Sequence, residues 1–180
     1  LDTVRLVDGR LAIEGPDGRD LARLDAVTGE LKSSGGPGLY RFRGDVKWNG
    51  DPREVRLSTA DAEAGAFRVK AVVRSPASGT SYVYDGRVAG FDGALRYDGE
   101  LSAQLPASFS GAAPATREGA GGFDLKSRIE GDASRLELRD ILLTFEREGR
   151  PQSIAGSATA TWTSGLEVRT ALASKWLDLD

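Results

Sequence analysis

Apolar and polar residues alternate along most of this chain with a period of two, the spacing of a strand that buries one face and wets the other. Tyr40, Phe42, Gly44, Val46 and Trp48 share one parity, against Arg41, Arg43, Asp45, Lys47 and Asn49 on the other. The same alternation sets Phe67, Val69, Ala71 and Val73 against Arg68, Lys70 and Arg74, and Tyr82, Tyr84, Gly86 and Val88 against their neighbours. It continues through Tyr97, Gly99, Leu101, Ala103 and Leu105, then Phe123, Leu125, Ile129 and Gly131, then Ile154, Gly156, Ala158, Ala160 and Trp162, with Leu166, Val168 and Leu172 closing the series. A helical period is nowhere sustained over a comparable length; Leu21, Leu24 and Val27 come nearest and fit a strand equally well. The pattern predicts an all-β fold of about ten strands, mostly antiparallel and shortly connected, with little or no helix.

Two irregularities refine this. Leu136 and Leu138 occupy one parity whereas Ile141, Leu143 and Phe145 occupy the other, so a β-bulge near Arg139 and Asp140 is needed to return both sets to one face. Gly90-Phe91-Asp92-Gly93 joins two strands and has the Asp-Gly chemistry of a tight hairpin turn. Residues 106–122, PASFSGAAPATREGAGG, are small and aperiodic and read as a long loop or linker. It separates a curved meander over 1–105 from further strands of the same domain over 123–180.

Five strands repeat an apolar residue, any residue, Gly, any residue, an apolar residue, centred on Gly44, Gly86, Gly99, Gly131 and Gly156, each on the apolar parity. Glycine inside a strand loses packing and entropy, so its repeated use has a geometric reason: a missing side chain lets a sheet curl, and a neighbouring aromatic ring covers the gap. A strongly curved sheet with its apolar face concave is therefore expected. Periodicity does not say whether that face is an open groove or is closed by a second sheet into a sandwich or barrel.

Composition narrows the chemistry. The 180 residues contain neither His nor Cys, which removes Ser-His catalysis, thiolate metal sites and disulfides. A net charge of -3 with scattered cations gives no field for nucleic acid. The aromatic-Asp-Gly triplets at Tyr84, Phe91 and Tyr97 place their aspartates seven and six residues apart, unlike calcium loops, and Asp85 and Asp98 lie opposite the glycines. Gly35-Gly36-Pro37-Gly38 lacks the Gly-Lys-Ser/Thr of a phosphate loop. Asp61 with Glu63, and Glu146 with Glu148, have the spacing of a carboxylate pair, but on strand faces and loops such pairs are solvated charge. Tyr82, Tyr84, Tyr97 and Trp48 are the rings available to stack on a glycan, yet they share the apolar parity expected of a core. No catalytic residue, metal or cofactor is expected. No stretch approaches the roughly 20 apolar residues of a membrane-spanning helix. A chain that opens on Leu1 and holds no Met reads as a segment of a longer or processed polypeptide, and Trp176 reads as the last strand's continuation toward missing chain.

SSGGPGLYRFRGDVKWNGDPREVRLSTADAEAGAFRVKAVV, with VRLVDGRLAIEGPDGRDLARLDAVTGEL before it and LELRDILLTFEREGRPQSIAGSATATWTSGLEVRTALASKWLDLD near the end, resembles the AsmA-like family of bacterial envelope proteins. The resemblance covers most of the chain and rests on strand rhythm rather than on a diagnostic motif. It implies a parent anchored in the inner membrane by a segment outside this chain and a periplasmic body of repeating β-grooves. It also implies a non-enzymatic role in outer-membrane assembly and homeostasis, by moving phospholipid or another acyl-chain lipid along the groove. Envelope proteins are the other partners it suggests. The residues expected to contact lipid are Phe42, Val46, Trp48, Phe67, Val69, Tyr84 and Leu101. The alternative is a structural or protein-interaction module of the envelope with an ordinary closed core.

Overall fold

The computed structural model describes residues 2–14, 20–33, 39–48, 50–61, 65–90, 95–106, 122–147, 149–163 and 165–174. Eleven strands follow one another: β1 (Asp2–Glu14), β2 (Asp20–Ser33), β3 (Tyr40–Trp48), β4 (Asp51–Asp61), β5 (Phe67–Ser75), β6 (Thr80–Ala89), β7 (Arg96–Leu105), β8 (Phe123–Asp132), β9 (Arg135–Arg147), β10 (Arg150–Thr161) and β11 (Glu167–Ser174). They build a single antiparallel sheet whose spatial order is the chain order, with β1 and β11 at its two edges. Leu21, Leu24 and Val27, which also fit a helix, lie in β2. The loop at 107–121, Gly35 to Gly38, Phe91 to Gly93, Glu63, Glu148 and Trp176 lie outside the described residues.

The sheet is open. Every substantial contact joins strands adjacent in sequence, so among the described residues no second layer covers either face. This decides between the architectures that periodicity leaves equal, in favour of the groove-like sheet over the sandwich or barrel. The buried apolar residues are few, Val27, Val46, Ala103 and Ile141, and none of the large side chains is fully buried. Apolar side chains instead shield one another laterally, as cross-strand pairs do on a pleated surface.

Bulges bend the sheet at three residues with φ of +51°: Asp8, Ala26 and Asp140. A bulge sets two residues against one and strengthens the local twist. The one at Asp140 is where the change of apolar parity in β9 requires it: Lys126 pairs with Leu142 and Arg128 with Arg139, so Leu136, Leu138, Ile141, Leu143 and Phe145 all return to one face. Side-chain hydroxyls serve the backbone groups that bulges displace. Ser127 Oγ lies 2.8 Å from the carbonyl oxygen of Arg139, and Thr28 Oγ1 accepts from the Asp8 N–H at 3.1 Å.

Ala133, the last member of the repeated-glycine pattern around Gly131, is in a turn rather than a strand. The Asp132 carboxylate accepts from Ser134 N, Ser134 Oγ and Arg135 N, which ends β8 and turns the chain into β9.

Candidate functional site

The strand registers assemble one continuous apolar face. Across the middle of the sheet Leu31 pairs with Phe42, Phe42 with Leu57, Leu57 with Ala71, Ala71 with Tyr84 and Tyr84 with Leu101. Parallel rows carry Val55, Val73, Tyr82, Ala103, Leu125, Leu143 and Ile154 on one side, and Val69, Ile129, Leu138 and Ala158 on the other. Eleven strands give ten spacings, so the face runs about 48 Å perpendicular to the strands at ~4.8 Å per spacing.

All seven residues singled out from the sequence fall on this face. Phe42, Val46 and Trp48 come from β3, Phe67 and Val69 from β5, Tyr84 from β6 and Leu101 from β7. They do not offer equal surface. Trp48 is 49% exposed, whereas Val46 at 4% presents almost nothing to a ligand. Phe67 and Val88 pair directly, as do Val69 and Gly86. Sequence reasoning passed over Tyr40 and Leu57, which occupy the same face, Tyr40 at the start of β3 and Leu57 directly opposite Phe42. Their parity was the available signal.

The repeated glycines lie under aromatic rings. Gly29 pairs with Gly44, and Gly86 with Gly99, so two glycine pairs face each other across strand boundaries. A methyl group on Gly44 would meet the Thr28 carbonyl oxygen, Gly29 Cα at 2.7 Å and Phe42 Cζ at 2.8 Å, and one on Gly99 would meet Gly86 Cα at 2.5 Å and Tyr84 Cε2 at 3.0 Å. Glycine is required because the neighbouring strand's backbone and the overlying ring together fill the space a side chain would use. The Tyr84 hydroxyl sits 3.0 Å from the carbonyl oxygens of both Arg87 and Asp98 and shares its one proton between them. Burial, reinforced by the negative charge of Asp98, pushes the Tyr84 phenol up to about 12. The triplets at Tyr84 and Tyr97 thus shape the backbone: the aromatic residue covers glycines while the aspartate lies on the other face.

That other face is charged and solvated. Asp85 meets Glu100 directly across β6 and β7, an unfavourable contact that is flanked by Lys70 on one side and Arg128 on the other. Arg68 and Lys70 approach Asp85 at 3.2 and 3.8 Å, and Arg139 bridges Glu130 and Glu137. The hydrogen bond from Arg139 holds the Glu137 carboxyl below its ordinary range. Exposed pairs of this kind stabilise by at most about 1 kcal/mol each, and their larger effect is to fix which face meets water. A shallow depression on this side is lined by Asp61, Arg68, Asp85, Arg87, Asp98 and Glu100, charges of both signs with no apolar floor.

No family model, curated protein or solved structure matches the chain.

Proposed function

We propose that this chain is a non-enzymatic segment of an AsmA-like protein of the bacterial envelope, binding or conducting phospholipid along its apolar face. The observation that carries the reading is an apolar face about 48 Å long with no layer over it among the described residues. Exposed apolar area beyond a few hundred Å² marks a binding surface in a soluble protein. Acyl chains match such a face because they need no hydrogen bonds and tolerate sliding past a row of Leu, Val and aromatic side chains. The opposite face, laced with ion pairs, remains in water. The reading places the segment in the periplasm of a Gram-negative cell, with the parent anchored in the inner membrane and acting in outer-membrane assembly.

Native mass spectrometry of the chain purified from a bacterial host tests it. Bound phospholipid is expected in the wild type and is lost in Leu57→Glu, whose circular dichroism remains that of a folded β protein. A wild type free of lipid, and unable to take it up from vesicles, would overturn the reading.

A further inference from the structure

Among the described residues, the apolar face carries one cation in the interior of a strand. Arg53, the third residue of β4, pairs with Val46 and so shares the parity of Val55 and Leu57. Apart from Arg147 and Arg150, at the last and first residues of their strands, it is the one cation of the described strands on that parity. The register of β4 and β5, continued one step past Glu54 and Arg74, sets Arg53 opposite Ser75, which pairs with Thr80. Both hydroxyl residues are buried. The same row ends at Gln152, beside Phe145, with a buried Oε1 that lacks a hydrogen-bond partner. Arg53, Ser75 and Thr80 thus follow one another in this row, near the turns that join β3 to β4 and β5 to β6, and Phe123 and Phe145 separate them from Gln152.

The Arg53 side chain is 22% exposed, whereas the other ion-paired cations are 49–80% exposed. Its anionic partner is Asp51, reached by one long contact of 3.5 Å, and Asp51 itself is 71% exposed. A guanidinium has five N–H donors in a planar fork suited to two oxygens of one anion. A partly desolvated guanidinium with a single long contact is thus poorly compensated, while the acyl-compatible surface begins at Val55, one same-face pair away, and continues to Leu57 and Phe42 at the second.

We propose that Arg53 anchors the phosphate of an amphiphile whose chains lie on the apolar face. The proposal rests on the lipid reading above and adds to it the residue that meets the phosphate and an orientation: phosphate at the margin by the β3–β4 turn, chains across the middle rows. The exposed Trp48 ring at that margin suits the boundary between chains and headgroup.

The test compares dodecyl phosphate with dodecyl maltoside, both below their critical micelle concentrations, by isothermal titration calorimetry. The wild type is expected to prefer dodecyl phosphate by about tenfold, the scale of a charge-assisted hydrogen bond. Arg53→Gln brings the ratio to near one and leaves dodecyl maltoside binding unchanged, and Arg53→Lys recovers part of the preference. Asp51→Asn, which removes the competing carboxylate and leaves Arg53 in place, strengthens dodecyl phosphate binding even if Arg53→Gln folds poorly. Inorganic phosphate at millimolar concentration does not compete. Equal binding of both amphiphiles by the wild type, a preference that survives Arg53→Gln, or no gain in Asp51→Asn overturns the anchor while the apolar face stands. Competition by inorganic phosphate at matching concentration also overturns it, in favour of a free-phosphate site. Failure of the wild type to bind either amphiphile overturns the lipid reading itself.

Discussion

The Tyr97 hydroxyl donates to the carbonyl oxygen of Arg135 at 3.2 Å, joining β7 to the start of β9 across the intervening strand. The ring reaches that carbonyl by lying over Gly131, its direct partner in β8. Gly131 and Tyr97 therefore act as one unit, and the two substitutions that disturb it are unequal. Tyr97→Phe loses one hydrogen bond and is expected to lower stability by about 1 kcal/mol. Gly131→Ala drives a methyl group against the Arg135 carbonyl oxygen and to 2.5 Å from the Tyr97 hydroxyl, so backbone and ring must both shift, and it is expected to cost more. Urea midpoints of the two variants give the order, and a smaller loss in Gly131→Ala would show that the two strands and the ring give way freely.

Tyr84 makes stability depend on alkaline pH. Its pKa in the folded chain is raised to about 12, first by burial and then by the charge of Asp98, from an ordinary value of 10.0. Unfolding therefore releases the proton more readily. The stabilisation is fully present below pH 10, falls as pH rises, and is lost through pH 12. The urea midpoint of the wild type is expected to drop between pH 10 and 12 more than that of Tyr84→Phe, and parallel curves would contradict the role assigned to burial.

The Ser127 hydroxyl at the β9 bulge is buried and shares its one proton between the carbonyl oxygens of Arg139 at 2.8 Å and Arg128 at 2.9 Å. Ser127→Ala removes that donor from both, and a loss of about 1–3 kcal/mol is expected. Ala26 tests the bulge in β2 from the opposite direction. Left-handed backbone costs an alanine about 1–2 kcal/mol, whereas glycine costs about 0.5–1 kcal/mol in chain entropy. With φ of +51° at this position, Ala26→Gly should raise stability by about 0.5 kcal/mol. Thermal melts of both variants check the pair of signs.

These bulges also mark what the chain makes readable. The bulge at Asp140 is legible because Leu136 and Leu138 differ in parity from Ile141, Leu143 and Phe145, and Leu142, 42% exposed, is the single apolar residue that keeps the earlier parity beyond it. The bulge at Asp8 is disguised, because Val7, 69% exposed, stands between Val4, Leu6 and the later Leu11 as though it belonged to the apolar series. The glycine pattern and the seven chosen apolar residues follow from period two alone. Whether a second layer covers the face does not, since alternation records which side chains share a face and not what lies over it. Arg53 was present in the same alternation, but its meaning depends on pairing with Val46 and on the row through Ser75 and Thr80, which only strand register brings together.

The turn after β8 supplies an acid-side counterpart to Tyr84. Hydrogen bonds from Ser134 N and Ser134 Oγ, with a further one from Arg135 N, hold the Asp132 carboxyl below its ordinary value of 3.8. The group is depressed in the folded state, so its stabilisation is present above the unfolded pKa and disappears as pH falls through the lower folded one. Trp162 reports on the same turn: its Nε1 donates to the Ala133 carbonyl oxygen at 2.7 Å, and its backbone N–H donates to the Ser134 carbonyl oxygen at 3.0 Å. Asp132→Ala removes the acceptor that sets the turn and is expected to shift the Trp162 indole N–H resonance and speed its exchange at neutral pH. Asp132→Asn keeps an oxygen in place without the charge, so it should preserve the resonance while flattening the acid limb of the stability curve below pH 4. An indole signal indifferent to Asp132→Ala would show that Trp162 holds the turn unaided, and the carboxylate would then be dispensable to this end of the sheet.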